Sequence, residues 1–291
     1  MKKFAVVLLA LTLLPLALYG WLQFSHNQQA DAPTAEQQAA SLERAIVWLD
    51  SHQGEVLNDN NPMLWWMIKR SAELSGDPRL KAVYKQYYRR YVGGNYQNIW
   101  RSLFIPGDAG VVAAESIGHL PDYNQYFIYG LTCGDAIARL PIVAAQMSTE
   151  FCGQYHPVSP ACVTHQMMGL RFRQQRGCGD AAQIADDVAV LQDTIVNQLT
   201  WDVRRVDVYL QRLLMLAETG ASDRIKPIWL QHVLSAQLQD GSWGDFHPLL
   251  GPIAGRSLGM SSRFFAVRSP AGNLHATAQG IFLLTLLSPS A

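Results

Sequence analysis

Apolar residues recur at helical spacing along most of the chain, in stretches punctuated by glycine and proline. In "NPMLWWMIKRSAELSGDPRLKAVYKQYYRRYV", Pro62 suits a first helical turn and Leu64, Met67, Ile68 and Ala72 make one face. "SGDP" stops that helix, and Pro78 opens the next. The predicted helices alternate between two types. One set is apolar on most of its circumference: about 61–75, 122–132, 163–176, 205–219 and 273–287. The other is amphipathic and more charged: about 35–56, 78–92, 135–149, 180–199 and 222–238. A helix apolar all round is buried, and an amphipathic one covers the outside. Strand signals are scarce.

Internal echoes support a repeated unit. The segment from Ala72 matches the segment from Ala217 without a gap, pairing Ala72-Glu73 with Ala217-Glu218 and Arg79 and Lys81 with Arg224 and Lys226. "CGDA" occurs at 133–136 and again at 178–181, each time between an apolar and an amphipathic helix. "SPACVTHQMMGLRF" is echoed by "SPAGNLHATAQGIF", which sets His165 against His275. The expected fold is all-α. It is an α/α toroid of five to six inner/outer helical hairpins, with a sixth hairpin to be lodged, if anywhere, in 93–121 or 239–272.

"LQHVLSAQLQDGSWGDF" resembles the QW motif of the terpenoid cyclase and protein prenyltransferase toroids, with Gln237, Gly241 and Trp243 in its Q-x3-G-x-W form. "LHATAQGIFLL" is similar to the opening of an inner helix there. The resemblance is specific over 235–287 and diffuse elsewhere. It implies a structural role for Gln237, capping a helix, and for Trp243, packing on it. The D-x-D-D acid motif of the class II cyclases is missing, and Asp186-Asp187 falls mid-way along an outer helix.

The N-terminus changes the location. After Lys2 and Lys3, Phe4 to Phe24 is uncharged and predominantly apolar, long enough as a helix to cross a bilayer core. Residues 1–24 are read as a transmembrane signal anchor, 25–34 as a polar linker and 35–291 as the toroid domain. The positive flank stays inside and the domain is translocated, so a single pass of the inner (cytoplasmic) membrane with a periplasmic or extracytoplasmic domain is expected. A cleaved signal peptide is the competing reading. Net charge is zero, and no basic run exceeds two residues, which argues against nucleic-acid binding.

All inner helices of a ring start on one face, the mouth. A disulfide needs Cα atoms within about 7 Å, and a helix of some 14 residues separates the faces by about 20 Å. In an oxidising compartment the four cysteines therefore pair as Cys133–Cys178 and Cys152–Cys162. The mouth gathers candidate chemistry: His165, His275 and Asp207 at the starts of three inner helices as acid–base residues, and Trp201, Arg204, Arg205, Trp243, Asp245, His247 and Arg256 as ligand contacts. Histidine and aspartate serve as base and acid near neutral pH. Two histidines and a carboxylate could also hold zinc, although no specific metal motif is present. Trp and Arg on a concave mouth suit a glycan or an anionic small molecule. An enzyme acting on an envelope glycan or other anionic envelope molecule is the first reading. A non-catalytic binding or scaffold module is the second. An isoprenoid cyclase or transferase, by resemblance, is the weakest.

Overall fold

The computed structural model describes residues 2–94, 98–105, 107–108, 112–153, 159–263 and 265–288, with only the backbone of 2–12 and Pro15. Its helices are α1 (Lys2–Asn27), α2 (Ala35–Ser51), α3 (Gln53–Val56), α4 (Pro62–Ser75), α5 (Pro78–Tyr91), α6 (Arg101–Phe104) and α7 (Asp122–Thr132). They continue with α8 (Asp135–Ala138), α9 (Pro141–Gln146), α10 (Cys162–Arg176), α11 (Ala181–Trp201), α12 (Asp207–Glu218), α13 (Pro227–Ala236) and α14 (Leu274–Leu286). A small antiparallel sheet, β1 (Phe246–Pro248), β2 (Ser257–Ser261) and β3 (Phe265–Arg268), lies between α13 and α14 in order β1-β2-β3.

Local chemistry fixes the helix ends. Thr34 and Gln37 form a reciprocal capping box at α2. Asn61, Asp77, Asp180 and Asn273 each accept a backbone N–H at the starts of α4, α5, α11 and α14. Gly76 and Gly177 close α4 and α10 in the left-handed region that an L side chain resists.

The five apolar helices form the interior. In α12 every residue from Val208 to Leu216 is buried, and in α14 every residue from Ala276 to Thr285. They pack successively, α7 on α10, α10 on α12, α12 on α14 and α14 on α4, with α6 touching both α4 and α7. Trp66 meets Phe172 and Phe282 edge-on, joining α4, α10 and α14 at the centre, while Trp65 stacks on Tyr87 of α5 at 4.5 Å. The amphipathic helices lie outside: α5 on α4, α9 on α7, α11 on α10 and α12, and α2 on α14. The buried positions of α11 (Ile184, Val188, Leu191, Ile195 and Gln198) keep the helical period.

Three expectations change in detail. The outer helix expected over 135–149 is split into α8 and α9 by Pro141, and the one expected from 222 starts at Pro227, because proline suits a first turn and interrupts an interior. The long segment 239–272 carries the sheet, with no helical hairpin among its described residues. Its strands are three to five residues long and its burial alternates only partly, so a period-two signal is weak.

Both disulfides pair as expected, Cys133–Cys178 with Cα atoms 5.3 Å apart and Cys152–Cys162 at 5.6 Å. They fit an oxidising, extracytoplasmic compartment. Among the described residues no helix is long and apolar enough to cross a membrane, and the side chains of 1–12, half of the expected anchor, lie outside them.

Gln237 and Trp243 hold the frame together. The Gln237 amide donates to Ser41 O and Gly241 O, both at 2.8 Å, and its carbonyl accepts from the Ser41 hydroxyl and from Arg44. This ties α2 to the end of α13. Trp243 is buried, donates from Nε1 to Val233 O at 2.8 Å and lies against Gly280 of α14, where a Cβ would come within 2.6 Å of the indole.

Helices α7 and α10 approach closely at two glycines. A Cβ on Gly130 would stand 2.7 Å from Gly169 O, and one on Gly169 would stand 2.2 Å from the buried Tyr126 ring. Backbone cannot yield there as a side-chain tip can. Gly130→Ala is expected to cost about 1–3 kcal/mol, the usual range for overpacking. Urea unfolding checks this, and a midpoint equal to wild type would contradict it.

Candidate functional site

Asp207 is the first residue of α12 and His275 the second of α14, so the packing of those two helices sets their first turns side by side. His275 Nδ1 lies 3.3 Å from Asp207 Oδ2. The other oxygen, Asp207 Oδ1, accepts the Val208 N–H at 2.8 Å. With Nδ1–H given to Asp207, His275 Nε2 carries the lone pair. Gln279, one turn further along α14, brings its amide nitrogen to 3.4 Å from that atom. His165 stands in the first turn of α10. Its ring stacks on Tyr123 of α7 at 4.2 Å between centroids and meets Phe127 edge-on. The Cys152–Cys162 bridge ties the start of α10 to the preceding loop.

Two cavities meet at these side chains. The inner one, of about 250 Å³, runs between α4, α7, α10 and α14 and is walled by Met63, Leu64, Met67, Trp100, Phe127 and Met168. The outer one, of about 580 Å³, opens between Asp122, Phe151, Ser159, Ser262 and Arg263. Tyr123, His165, Gln211 and His275 line both and form the waist. Gln211 is held by its carbonyl, which accepts from Thr164 Oγ1 at 2.7 Å. Gln279 Oε1 is buried without a hydrogen-bond partner and borders the inner cavity.

The charge states differ within this small space. Burial pushes the Asp207 carboxyl upward, but the hydrogen bond and charge of His275 outweigh it and hold the group below the usual carboxylate range. Burial lowers His165 to about 4, helped by the nearby His275. At neutral pH the waist therefore holds an ionised Asp207 beside His275 and a neutral His165. Such a set can remove a proton through His275 Nε2, with Asp207 orienting the ring and stabilising its charged form.

The seven expected ligand contacts lie elsewhere, and none of them lines either cavity. Trp243 is in the core. Arg204 is bound to Asp202 through Nε at 2.7 Å and Nη2 at 2.6 Å, and donates to Ser262 O at 2.6 Å. Trp201 is exposed at the end of α11, beside α1. Arg205 and His247 meet through Arg205 N and His247 Nδ1 at 3.5 Å. Asp245 pairs with Arg268 at 2.9 Å, and Arg256 is exposed in the β1–β2 connection, donating to Val267 O. Asp245, His247 and Arg256 follow the fold of the sheet segment, while Trp201, Arg204 and Arg205 lie in the α11–α12 connection or at its edge. No group of three His, Cys, Asp or Glu among the described residues is arranged to hold a metal ion.

Tyr123, Gln211 and Gln279 were not singled out by the sequence. Two of them had a readable signal: Gln211 and Gln279 stand four residues after Asp207 and His275, one helical turn deeper on the same face. No family model, curated protein sequence or solved structure matches this chain.

Proposed function

We propose that the protein is a membrane-anchored, extracytoplasmic enzyme with an α/α-toroid domain, in which His275 and Asp207 act as an oriented general base on an envelope glycan or other anionic envelope molecule. The His275–Asp207 contact at the junction of two cavities is the observation that carries this reading. The toroid is supported by five buried helices that pack in succession and by amphipathic helices outside them. The anchor is supported by the uncharged run Phe4 to Phe24 and by the exposed apolar side chains Leu14, Leu16, Trp21 and Phe24 of α1.

A glycan is favoured by Tyr123, a partly exposed ring at the waist, and an anionic group by Arg263 on the outer rim. The neutral His165 faces the same space as a hydrogen-bonding partner rather than a cation. Among the described residues, the contacts of His275 run to Asp207 and Gln279, so the base would act on water or on the substrate itself.

A second reading has its own observation. The methionine-rich wall of the inner cavity is adaptable and apolar, which suits a binding module of the envelope that holds a ligand without converting it. The isoprenoid reading shares this wall but lacks the D-x-D-D acid.

Incubating the purified full chain with envelope glycan fragments and envelope lipid extract, followed by mass spectrometry, separates these readings. The enzyme reading expects a new product mass that is absent with His275→Gln. A fragment retained by both proteins with no change of mass would favour the binding module and overturn the enzyme.

A further inference from the structure

Strands β2 and β3 present one face to the domain and one outward, while His247 of β1, opposite Met260, is drawn to the Arg205 backbone. On the inward side, Gly259 sits so close to β1 that a Cβ would stand 2.3 Å from His247 O, and Arg268 lies over the Phe246 ring at 5.1 Å. On the outward side, Leu258 pairs with Val267 and Met260 with Phe265 across the strands. Leu258, Phe265 and Val267 are 41%, 67% and 54% exposed. In the β1–β2 connection, Leu250 and Ile253 add 60% and 83%. A run of apolar side chains this exposed on one face is the signature of an interaction surface.

Charge and position select the occupant. Residues 249–268 include three arginines (256, 263 and 268) and no aspartate or glutamate. Arg268 is paired with Asp245, while Arg256 and Arg263 are exposed. An apolar face flanked by arginine without acids complements an anionic lipid surface. The anchor helix leaves the domain beside it. Tyr19 and Gln23 donate to Trp201 O at 3.1 and 2.7 Å, and three residues later Arg204 donates to Ser262 O in the β2–β3 turn. The direction of α1 is set by further contacts. His26 reaches Leu199 O, and Asn27 reaches Thr200 O and Lys226, at the opposite end of α13 from Ala236. Followed back towards its N-terminus, α1 therefore projects past Trp201 on the side where α12 and α14 begin, the side of the waist and the outer cavity. Arg263 belongs both to the turn of the sheet and to the rim of that cavity.

We infer that the outward face of β2–β3 is a bilayer-seating surface, which holds the domain mouth-down on an anionic lipid surface beside its anchor. This rests on the anchor reading given above. It turns the outer cavity towards the lipid, so that an amphiphilic envelope molecule can enter without first crossing open water.

Nitroxide labels in the full chain, reconstituted in phosphatidylglycerol–phosphatidylethanolamine vesicles, test the seat. Phe265→Cys, Val267→Cys, Val190→Cys and Leu16→Cys are labelled singly, with non-reducing peptide mapping to confirm both native disulfides. Collisions with oxygen report lipid, and collisions with a water-soluble nickel complex report solvent. The expected result is oxygen-dominated relaxation at 16, 265 and 267, with the ratio reversed at 190 on the outside of α11. Water-like behaviour at 265 and 267 with a lipid signal at 16 would overturn the seat and leave the anchor standing. Water-like behaviour at all four would remove the anchor and the seat together. Dipolar broadening between labels at 265 on two copies would assign the face to self-association and overturn the proposal.

Discussion

Asp202→Ala is expected to destabilise the domain by about 3–5 kcal/mol, the range for stranding one partner of a buried ion pair. Total stability of a domain is only about 5–15 kcal/mol, so the variant would sit near its unfolding limit. Asp202 is 3% exposed and takes Arg212 Nη1 at 2.9 Å and Arg204 Nη2 at 2.6 Å. Arg212 is 1% exposed, and it also donates to Gln198 Oε1 and to Pro160 O. Burial pushes the Asp202 carboxyl up, but the two arginines outweigh this and keep it ionised. Removing it leaves the Arg212 charge in the interior without its counter-ion. Pro160 belongs to the loop that leads into α10 and His165, and Arg204 holds the β2–β3 turn, so the same loss loosens both sides of the outer cavity. Adding Arg212→Met to Asp202→Ala should restore a large part of the stability, because the stranded charge goes with it. Chemical denaturation of the two variants checks this. A single variant within about 1 kcal/mol of wild type would show that the network is dispensable.

Acid is expected to destabilise the protein well above the pH at which carboxylates are protonated. His26, at the end of α1, is wholly buried, with Nε2 2.7 Å from Leu199 O and Nδ1 without a partner. It stacks on His232 of α13 at 5.4 Å and meets Tyr209 of α12 edge-on. Burial lowers His26 to about 4 and His232 to about 3, with Arg205 adding to both. Burial and Arg205 likewise lower His247 to about 4. Asp202 opposes the shift at His26, and Lys226 reinforces it. In the unfolded chain each imidazole takes its proton near pH 6.5, whereas in the folded chain it stays neutral until about 4 or below. Stability is therefore full above pH 6.5 and is lost as pH falls from there towards 4. For His26 alone, the shift from 6.5 to about 4 corresponds to about 3 kcal/mol, and the stacked pair titrates jointly rather than additively. The first contacts to weaken are those of α1 with α11 and α13. Melting temperature measured from pH 7.5 to 4.5 should fall steadily below 6.5. His26→Leu with His232→Phe should make that slope shallower, with the share of His165 and His247 remaining. An unchanged slope in the double variant would refute the assignment.

The helical frame was largely legible in the chain. The five apolar segments correspond to α4, α7, α10, α12 and α14 within two residues at either end, because a helix buried on all sides carries its own signal and proline and glycine mark its limits. The cysteine pairing followed from the same layout. The sheet was not legible. Its strands owe their conformation to pairing with one another and to close packing of Gly259 on β1, neither of which appears as a local period. Its presence also explains the fate of the expected ligand contacts. Asp245, His247 and Arg256 were grouped with the mouth by their loop, but the sheet turns that loop aside and leaves Arg263 at the rim. His165, His275 and Asp207 came together because each stands in the first turn of a buried helix, and those helices pack on one another. The buried Asp202 lay hidden for the opposite reason: a charge in the polar stretch 201–205 gives no sign that folding will bury it, whereas Arg212 stands within the apolar α12 segment.

The central claim is that His275, oriented by Asp207, is the base of an enzyme. It is tested most directly by single-turnover rates of the full chain on any envelope fraction in which the wild type generates a new product mass, for wild type, His275→Gln, Asp207→Asn and the double variant. A positioned general base contributes roughly 10²–10⁴-fold. His275→Gln is predicted to lose a factor in that range, and adding Asp207→Asn to it should lose little more, because the carboxylate acts through the imidazole. A His275→Gln protein that turns over at the wild-type rate would contradict the account.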